Sequence, residues 1–236
     1  ISNECAALLA ARGHDVFVFS RGNRPIPDAF HALTGNRYDR DSMANALKNA
    51  RFDVAINFLG FDIPELEIDF DLLQGRVRHY IFISSATVYR KPHRSLPITE
   101  ETPLGNPYSD YAQKKQRCEE WLMQRWRNDG FPVTVVRPSH TYGPHWIPNP
   151  VSSASYVIPK RLREGRPVYV HDDGQSLWTL TAARDFALGL ASLLGRDETV
   201  GEAYHITSDE VLTWNQIYAE ICRALDVRDA EIVRIP

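Results

Sequence analysis

Tyr111 and Lys115 stand four residues apart in Tyr111-Ala112-Gln113-Lys114-Lys115, and upstream of them the run His79-Tyr80-Ile81-Phe82-Ile83 ends in Ser84-Ser85. A phenol, an ammonium one helical turn along and a hydroxyl at a strand end are the groups needed to move a proton on and off a carbinol. On a helix, positions i and i+4 share a face, so the Lys115 ammonium can lie near the Tyr111 phenol. At about 4 Å and an effective dielectric near 20, their attraction is roughly 4 kcal/mol, or about three pKa units. That would bring a phenol from about 10 to about 7, where a general acid/base works best. Tyr108 has no lysine four residues on, which leaves Tyr111 as the fit.

The elements that would position these groups alternate. Asn3 to Arg12 is rich in Ala and Leu and stops at Gly13, which predicts a helix with its C-cap. Asp15 to Phe19 is a short β-branched and aromatic run and predicts a buried strand. A helix over Asp41 to Ala50 capped by Asp41 or Ser42, a strand over Asp53 to Leu59 and a short helix over Pro64 to Leu73 follow. Strand His79 to Ile83, helix Tyr108 to Arg127 and strand Pro132 to Arg137 continue the rhythm. Such alternation implies βαβ units and an α/β fold with a parallel sheet, whose ligands lie beyond the carboxyl ends of the strands. Gly60, Ser84-Ser85 and Pro138-Ser139 fall at those ends.

Beyond Gly143-Pro144 the rhythm loosens. A Pro/Ser-rich loop leads to a helix near Ile158 to Glu164, a strand Val168 to His171 and a helix Ala182 to Leu194. A strand Ala203 to Thr207 and a helix Trp214 to Leu225 complete the pattern. The reading is a domain over 1–143 and a smaller substrate-binding lobe over 144–236, with some of its segments returning to the first sheet.

Composition narrows the classes. The 236 residues are 43% hydrophobic and 24% charged, as in an ordinary folded domain, and the formal net charge of -3 offers no overall attraction to nucleic acid or anionic lipid. Cys5, Cys118 and Cys222 are far apart and suit free thiols in a reducing, cytoplasmic setting, and the eight histidines show no ligand spacing for a metal. No apolar run approaches the roughly 20 residues of a membrane span. The expected partner is a small-molecule substrate, with no membrane and no nucleic acid, and with room for a homodimer.

Three motifs in order carry a family likeness: Ile83-Ser84-Ser85-Ala86-Thr87-Val88-Tyr89, Tyr111 to Lys115, and Arg137-Pro138-Ser139-His140-Thr141-Tyr142-Gly143-Pro144. In order and spacing the chain resembles the extended short-chain dehydrogenase/reductases, the NAD-dependent epimerase/dehydratase group. The resemblance implies a Rossmann-type doubly wound sheet with a C-terminal substrate lobe, a bound nicotinamide cofactor, and Ser85, Tyr111 and Lys115 as the reactive triad. Lys115 would also hold the nicotinamide ribose. Ser85, Ala86 and Thr87 would meet the substrate, and Pro138, Ser139 and His140 would lie beside nicotinamide and substrate, His140 standing where asparagine is common. Arg137 reads as structural.

For the cofactor, the resemblance matches Ser2 to the third glycine of a phosphate-binding loop, so the first strand and most of that loop are expected to be absent from the given sequence, with weak cofactor binding as the consequence. Ser20, Arg21 and Arg24 stand where an acidic residue would select NAD, which favours NADP over NAD. Asn36-Arg37 matches the adenine-side position, and Phe58, Leu59 and Gly60 the strand end that skirts the cofactor.

Two departures bear on substrate. The stretch from Phe58 to Ser85 is shorter than in typical sugar-nucleotide epimerases and lacks the usual asparagine. Trp178, in Gln175-Ser176-Leu177-Trp178-Thr179, stands in place of the arginine that clamps a nucleotide-sugar diphosphate. A tryptophan supplies no guanidinium fork; it can stack on a ring or fill a core. Two function classes follow: an epimerase, dehydratase or carbonyl reductase acting on a hydroxyl/ketone such as a sugar, or a non-catalytic relative of the kind that binds RNA in chloroplasts. The complete triad favours the enzyme.

Overall fold

Short runs of β-branched and aromatic residues form the strands here, and Ala/Leu-rich or amphipathic runs with polar caps form the helices between them. The computed structural model describes residues 1–144, 146–150 and 156–236. In chain order these give α1 (Ser2–Ala11), β1 (Phe17–Ser20), β2 (His31–Thr34), α2 (Arg40–Leu47), β3 (Phe52–Asn57), α3 (Ile63–Leu73), β4 (Val77–Ile83), α4 (Asp110–Asp129) and β5 (Val133–Pro138). Then come β6 (His140–Tyr142), α5 (Val157–Arg163), β7 (Val168–His171), β8 (Leu177–Trp178), β9 (Leu180–Ala182), α6 (Ala183–Ala191), β10 (Ala203–Ile206), β11 (Leu212–Thr213), α7 (Trp214–Leu225) and β12 (Ile232–Ile235). Most of the Pro/Ser-rich loop expected after Pro144 lies outside the described residues. None of the described helices is long and apolar enough to cross a membrane.

The chain divides into two compact units, one of Ser2–Pro138 with Ala187–Ile206, the other of Ser139–Phe186 with Thr207–Pro236 and Ile1. In the larger, a parallel sheet runs in the order β10-β5-β4-β3, with Ile83 paired to Val136 and Pro138 to Ile206 at the carboxyl ends. All of β5 is buried, as in a sheet covered on both faces. This is a Rossmann-type α/β fold, with one difference from the expectation of a single doubly wound sheet. Strands β1 and β2 pair only with each other among the described residues, and β1 meets β3 through the Phe17 and Phe52 rings, 5.4 Å apart, rather than through a ladder.

The helix that must carry Tyr111 and Lys115 is well specified. Ser109 caps α4 by accepting from Ala112 N at 3.2 Å, and Gly130 ends it in the left-handed region at φ 68°, a conformation that favours glycine. Tyr108, expected inside the helix, lies before the cap. Ala112, Lys115, Cys118, Glu119 and Leu122 form the buried stripe of α4. Cys118 and Leu122 join Leu66, Tyr80, Phe82, Phe131 and Val135 in the core of this unit. Asp39, two residues before the earlier of the two expected caps, caps α2.

The smaller unit has its own core of Ile158, Leu162, Val168, Val170, Trp214, Ile217 and Tyr218. Helix α7 is fixed by a reciprocal cap between Thr213 and Gln216. Three two-stranded pairings, β6 with β9, β7 with β12 and β8 with β11, complete it.

Candidate active site

Lys115 is 1% exposed, so this lysine is not part of a solvated helix face. Its ammonium donates to Gly60 O at 2.6 Å and Ile83 O at 2.7 Å, and so bridges the chain beyond β3 to the end of β4. The Phe61 and Phe82 ring centroids each lie 4.7 Å from Nζ. No carboxylate pairs with it among the described residues, and burial pulls its pKa down to about 8.

Tyr111 shares that face of α4. Its ring centroid is 6.0 Å from Lys115 Nζ, and the residue is 44% exposed. The phenol is shifted the opposite way from the sequence expectation. Partial burial raises it above its ordinary value of 10, and a hydrogen bond with the Ser85 side chain draws it part of the way back. Helical spacing does bring ammonium and phenol to one face, but the ammonium is turned to two carbonyls, and burial and Ser85 rather than Lys115 set the shift of the phenol. In this state Tyr111 is a protonated phenol.

Ser85 caps the turn Ala86–Val88, its Oγ accepting from Thr87 N at 3.2 Å and Thr87 Oγ1 at 2.9 Å. Asn106 Nδ2 donates to Thr87 O at 2.9 Å and holds this turn from the other side. Ala86 and Thr87 thus sit beside Ser85 in one small turn. The neighbouring Ser84 is buried with no partner for its Oγ among the described residues.

Arg137 is the structural member expected. It donates to both oxygens of Glu119, with Nη2 to Oε2 at 2.7 Å, and its guanidinium lies 5.1 Å from the Tyr89 ring centroid. Burial would lower its pKa, but the Glu119 carboxylate overrides that and holds it above its ordinary value.

A second polar group beneath the strand end was not anticipated. Asn57, the last residue of β3, donates through Nδ2 to Asp69 Oδ2 at 2.6 Å and Tyr80 Oη at 2.8 Å. Its Oδ1 accepts from Leu59 N at 2.8 Å and Gly60 N at 2.7 Å. Tyr80 donates to Asp69 Oδ2 at 2.6 Å, and Arg37 Nη2 lies 3.3 Å from the same oxygen and from Glu65 O. Burial raises the Asp69 pKa against the pull of Arg37, Tyr80 and Asn57. An Asn at a strand end was the only visible signal; its partners are 12 and 23 residues away in sequence.

The remaining cofactor-side residues scatter over the larger unit. Ser2 opens α1, and Ser20 ends β1 with its Oγ accepting from Gly22 N. Arg21 and Arg24 are exposed and form no ion pair among the described residues. Asn36 Oδ1 accepts from Tyr38 N, while Arg37 turns inward to Asp69. Phe58 is half-buried and Leu59 exposed, whereas Gly60 is so enclosed that a Cβ would come within 2.9 Å of Asn57, Leu66 and Phe82 side-chain atoms. Pro138 is buried at the end of β5.

In the smaller unit Ser139 Oγ donates to Thr179 O at 3.2 Å. His140 is in strand β6, not in a loop, and its Nε2 is buried without a partner among the described residues, burial lowering its pKa. Its ring meets Trp178 edge to face at 5.5 Å. Trp178 packs on Trp214 at 5.6 Å yet remains 39% exposed, so it is neither wholly core nor wholly free.

The model of the NAD dependent epimerase/dehydratase family matches residues 71–207, which is more than half of the chain. The chain belongs to that family. Among curated relatives, a chloroplast stem-loop binding protein of 41 kDa from Arabidopsis thaliana is 29% identical over 96% of this chain and 61% of that protein. The human dTDP-D-glucose 4,6-dehydratase is 26% identical over 67% of this chain and 43% of the human protein. The chain therefore spans less than two thirds of the length of these two relatives. Among solved structures, a dTDP-glucose 4,6-dehydratase from Bacillus anthracis in complex with NAD superposes with a TM-score of 0.79 at 20% identity, covering 100% of this chain and 81% of that one. This last likeness bears on the fold, and it agrees with the Rossmann-type sheet of this epimerase/dehydratase family member.

Proposed function

We propose that this epimerase/dehydratase family member is an NAD(P)-dependent enzyme that transfers a proton at a hydroxyl/ketone centre through Ser85, Tyr111 and Lys115. The observation that carries the reading is that the Ser85 side chain, just past the end of β4, is near enough to Tyr111 to draw the phenol pKa down, and that Lys115 lies on the same helix face, buried and tied to Gly60 O and Ile83 O. An ammonium has three N–H donors, and the two carbonyls take two of them. The third fits a ribose hydroxyl, so Lys115 and the Leu59–Gly60 segment would hold a nicotinamide nucleotide. Such a cofactor supplies hydride acceptance and donation.

The residues divide the rest. Tyr111, protonated above its ordinary value, gives its proton to a developing alkoxide. Ser85 hydrogen-bonds the same oxygen and Tyr111, and fixes their mutual orientation. The buried Lys115 charge favours negative charge on the phenol once the proton has left. The substrate class is a sugar or sugar nucleotide, in keeping with the names of the dehydratase relatives. Arg21 and Arg24, exposed after β1, are the residues assigned to an NADP 2'-phosphate.

The test has three arms on the full-length protein. Fluorescence titration should show tighter NADPH than NADH; equal affinities would remove the role given to Arg21 and Arg24. Tyr111→Phe should abolish turnover of any sugar nucleotide found to be converted, and retained turnover would end the triad reading. A second reading, RNA binding, rests on the relation to the chloroplast stem-loop binding protein. Salt-dependent retention of a stem-loop RNA at physiological ionic strength would support it, and the net charge of -3 speaks against it.

A further inference from the structure

We propose that Asn57 and Asp69 are positioning residues for Lys115, acting through the Leu59–Gly60 turn; the proposal rests on the triad reading for its functional meaning. The geometry is a chain of hydrogen bonds that brackets Gly60 on both sides. Lys115 Nζ donates to Gly60 O at 2.6 Å. Leu59 N and Gly60 N, the two peptide N–H groups that lead into that residue, both donate to Asn57 Oδ1, while Phe61 N, which shares the peptide plane of the Gly60 carbonyl, donates to Glu65 Oε2 at 2.7 Å. Asn57 Nδ2 in turn donates to Asp69 Oδ2 and Tyr80 Oη. All four hydrogen-bonding positions of the Asn57 amide are thereby filled, which fixes both the flip of the amide and the angle of its plane.

Asp69 is what holds that amide still. Its Oδ2 takes donors from Asn57, Tyr80 and Arg37, while Oδ1 has no partner among the described residues. A buried carboxylate used on one oxygen only is poor design for an ion pair, since Arg37 could grip both oxygens. It suits a bracket whose geometry is dictated by Asn57. The turn also cannot drift toward these side chains, because Gly60 has Asn57, Leu66 and Phe82 within 2.9 Å of where a Cβ would stand. A network of this kind, fully connected on the Asn57 side, rigidifies what it touches.

The experiment observes the Lys115 ammonium directly by 15N NMR of lysine-labelled full-length protein. In the wild type the buried Nζ–H protons, hydrogen-bonded to two carbonyls, should exchange slowly. Asn57→Leu removes the acceptor for both turn amides and should accelerate that exchange about tenfold or more; Asn57→Asp alone should also do so, by setting a second carboxylate against Asp69. The exchange of side chains, Asn57→Asp together with Asp69→Asn, keeps the charge and restores a donor–acceptor pair between the two positions, at the cost of an amide NH2 group facing Arg37, and should bring exchange back toward wild type relative to Asn57→Asp alone. Thr134→Val is the control for lost stability. It breaks an equally buried polar cluster with His79 and Thr199 and has no bond to this turn. Unchanged Lys115 exchange in Asn57→Leu, or acceleration of the same size in Thr134→Val, overturns the proposal. Failure of the triad reading shows separately, as cofactor-dependent turnover that survives Lys115→Met.

Discussion

Two buried cations depend on α4, and they are held in opposite ways. Arg137, 6% exposed, faces Glu119 of that helix and grips both of its oxygens. Lys115, one turn earlier on α4, has backbone carbonyls and aromatic faces but no carboxylate among the described residues. The carboxylate holds the Arg137 pKa up against burial, whereas burial alone decides for Lys115 and brings it to about 8. A cation with a full counter-ion is a fastening between helix and strand. A cation left with dipoles keeps a charge that is costly to hold and free to act on whatever approaches, as expected of a residue whose work is done on a cofactor or substrate.

The largest effect should come from breaking the fastening. Glu119→Ala leaves a guanidinium buried and unpaired, at a cost of about 3–5 kcal/mol measured by urea unfolding. Replacing both partners, Arg137→Met with Glu119→Leu, should cost far less, within about 1–2 kcal/mol of wild type. If the double replacement were as damaging as the single one, Arg137 would be more than a structural cation.

The next effect concerns Lys115 and carries a pH signature. The unfolded chain keeps the Lys115 proton up to about 10.5, while the folded chain releases it near 8. Between those values the unfolded state binds more protons, so stability rises with pH, by about 3 kcal/mol across the window. The contribution is fully present above 10.5 and lost as pH falls through 8. Lys115→Met should lose this rise, so that the stability difference between the two proteins changes by about 3 kcal/mol between pH 8 and 10.5. The buried Cys5 and Cys118 thiols, raised to about 12 and about 11, pull the stability of both proteins down as pH rises. A difference between wild type and variant that does not change with pH over this window would mean that Lys115 does not release its proton near 8 in the folded chain.

Much of this contrast was legible in the sequence, and its failures have physical causes. Strand β7 and helix α7 lie where their β-branched and amphipathic runs put them. Strand β2 did not show, because His31-Ala32-Leu33-Thr34 has little strand character and exists by pairing with β1. Strands β8 and β9 are two and three residues long, too short for any periodicity. The spacing of Tyr111 and Lys115 correctly gave a shared face, but spacing carries no information on what else the ammonium will find. Gly60 O is 55 residues away in sequence and Ile83 O is 32. The bracket of Asn57, Asp69 and Tyr80 was illegible for the same reason, being made wholly of long-range partners.

The smallest effect tests the other half of the contrast, the phenol that Lys115 was expected to acidify. Tyr111 lies above 10 through burial, and the Ser85 hydroxyl is the one side chain that draws it down. Ser85→Ala should therefore move the Tyr111 titration further up in 13C NMR of ring-labelled tyrosine, with Tyr111→Phe assigning the signal. Lys115→Met should move it much less, since the ammonium is turned to two carbonyls and its centroid distance to the ring is 6.0 Å. The reverse order, with Lys115→Met the larger shift, would restore the simple helical-pair picture and would mean that the two carbonyls do not absorb the charge of this lysine. The order proposed here makes Ser85 the residue that tunes the phenol, and Lys115 the charge that waits for the anion.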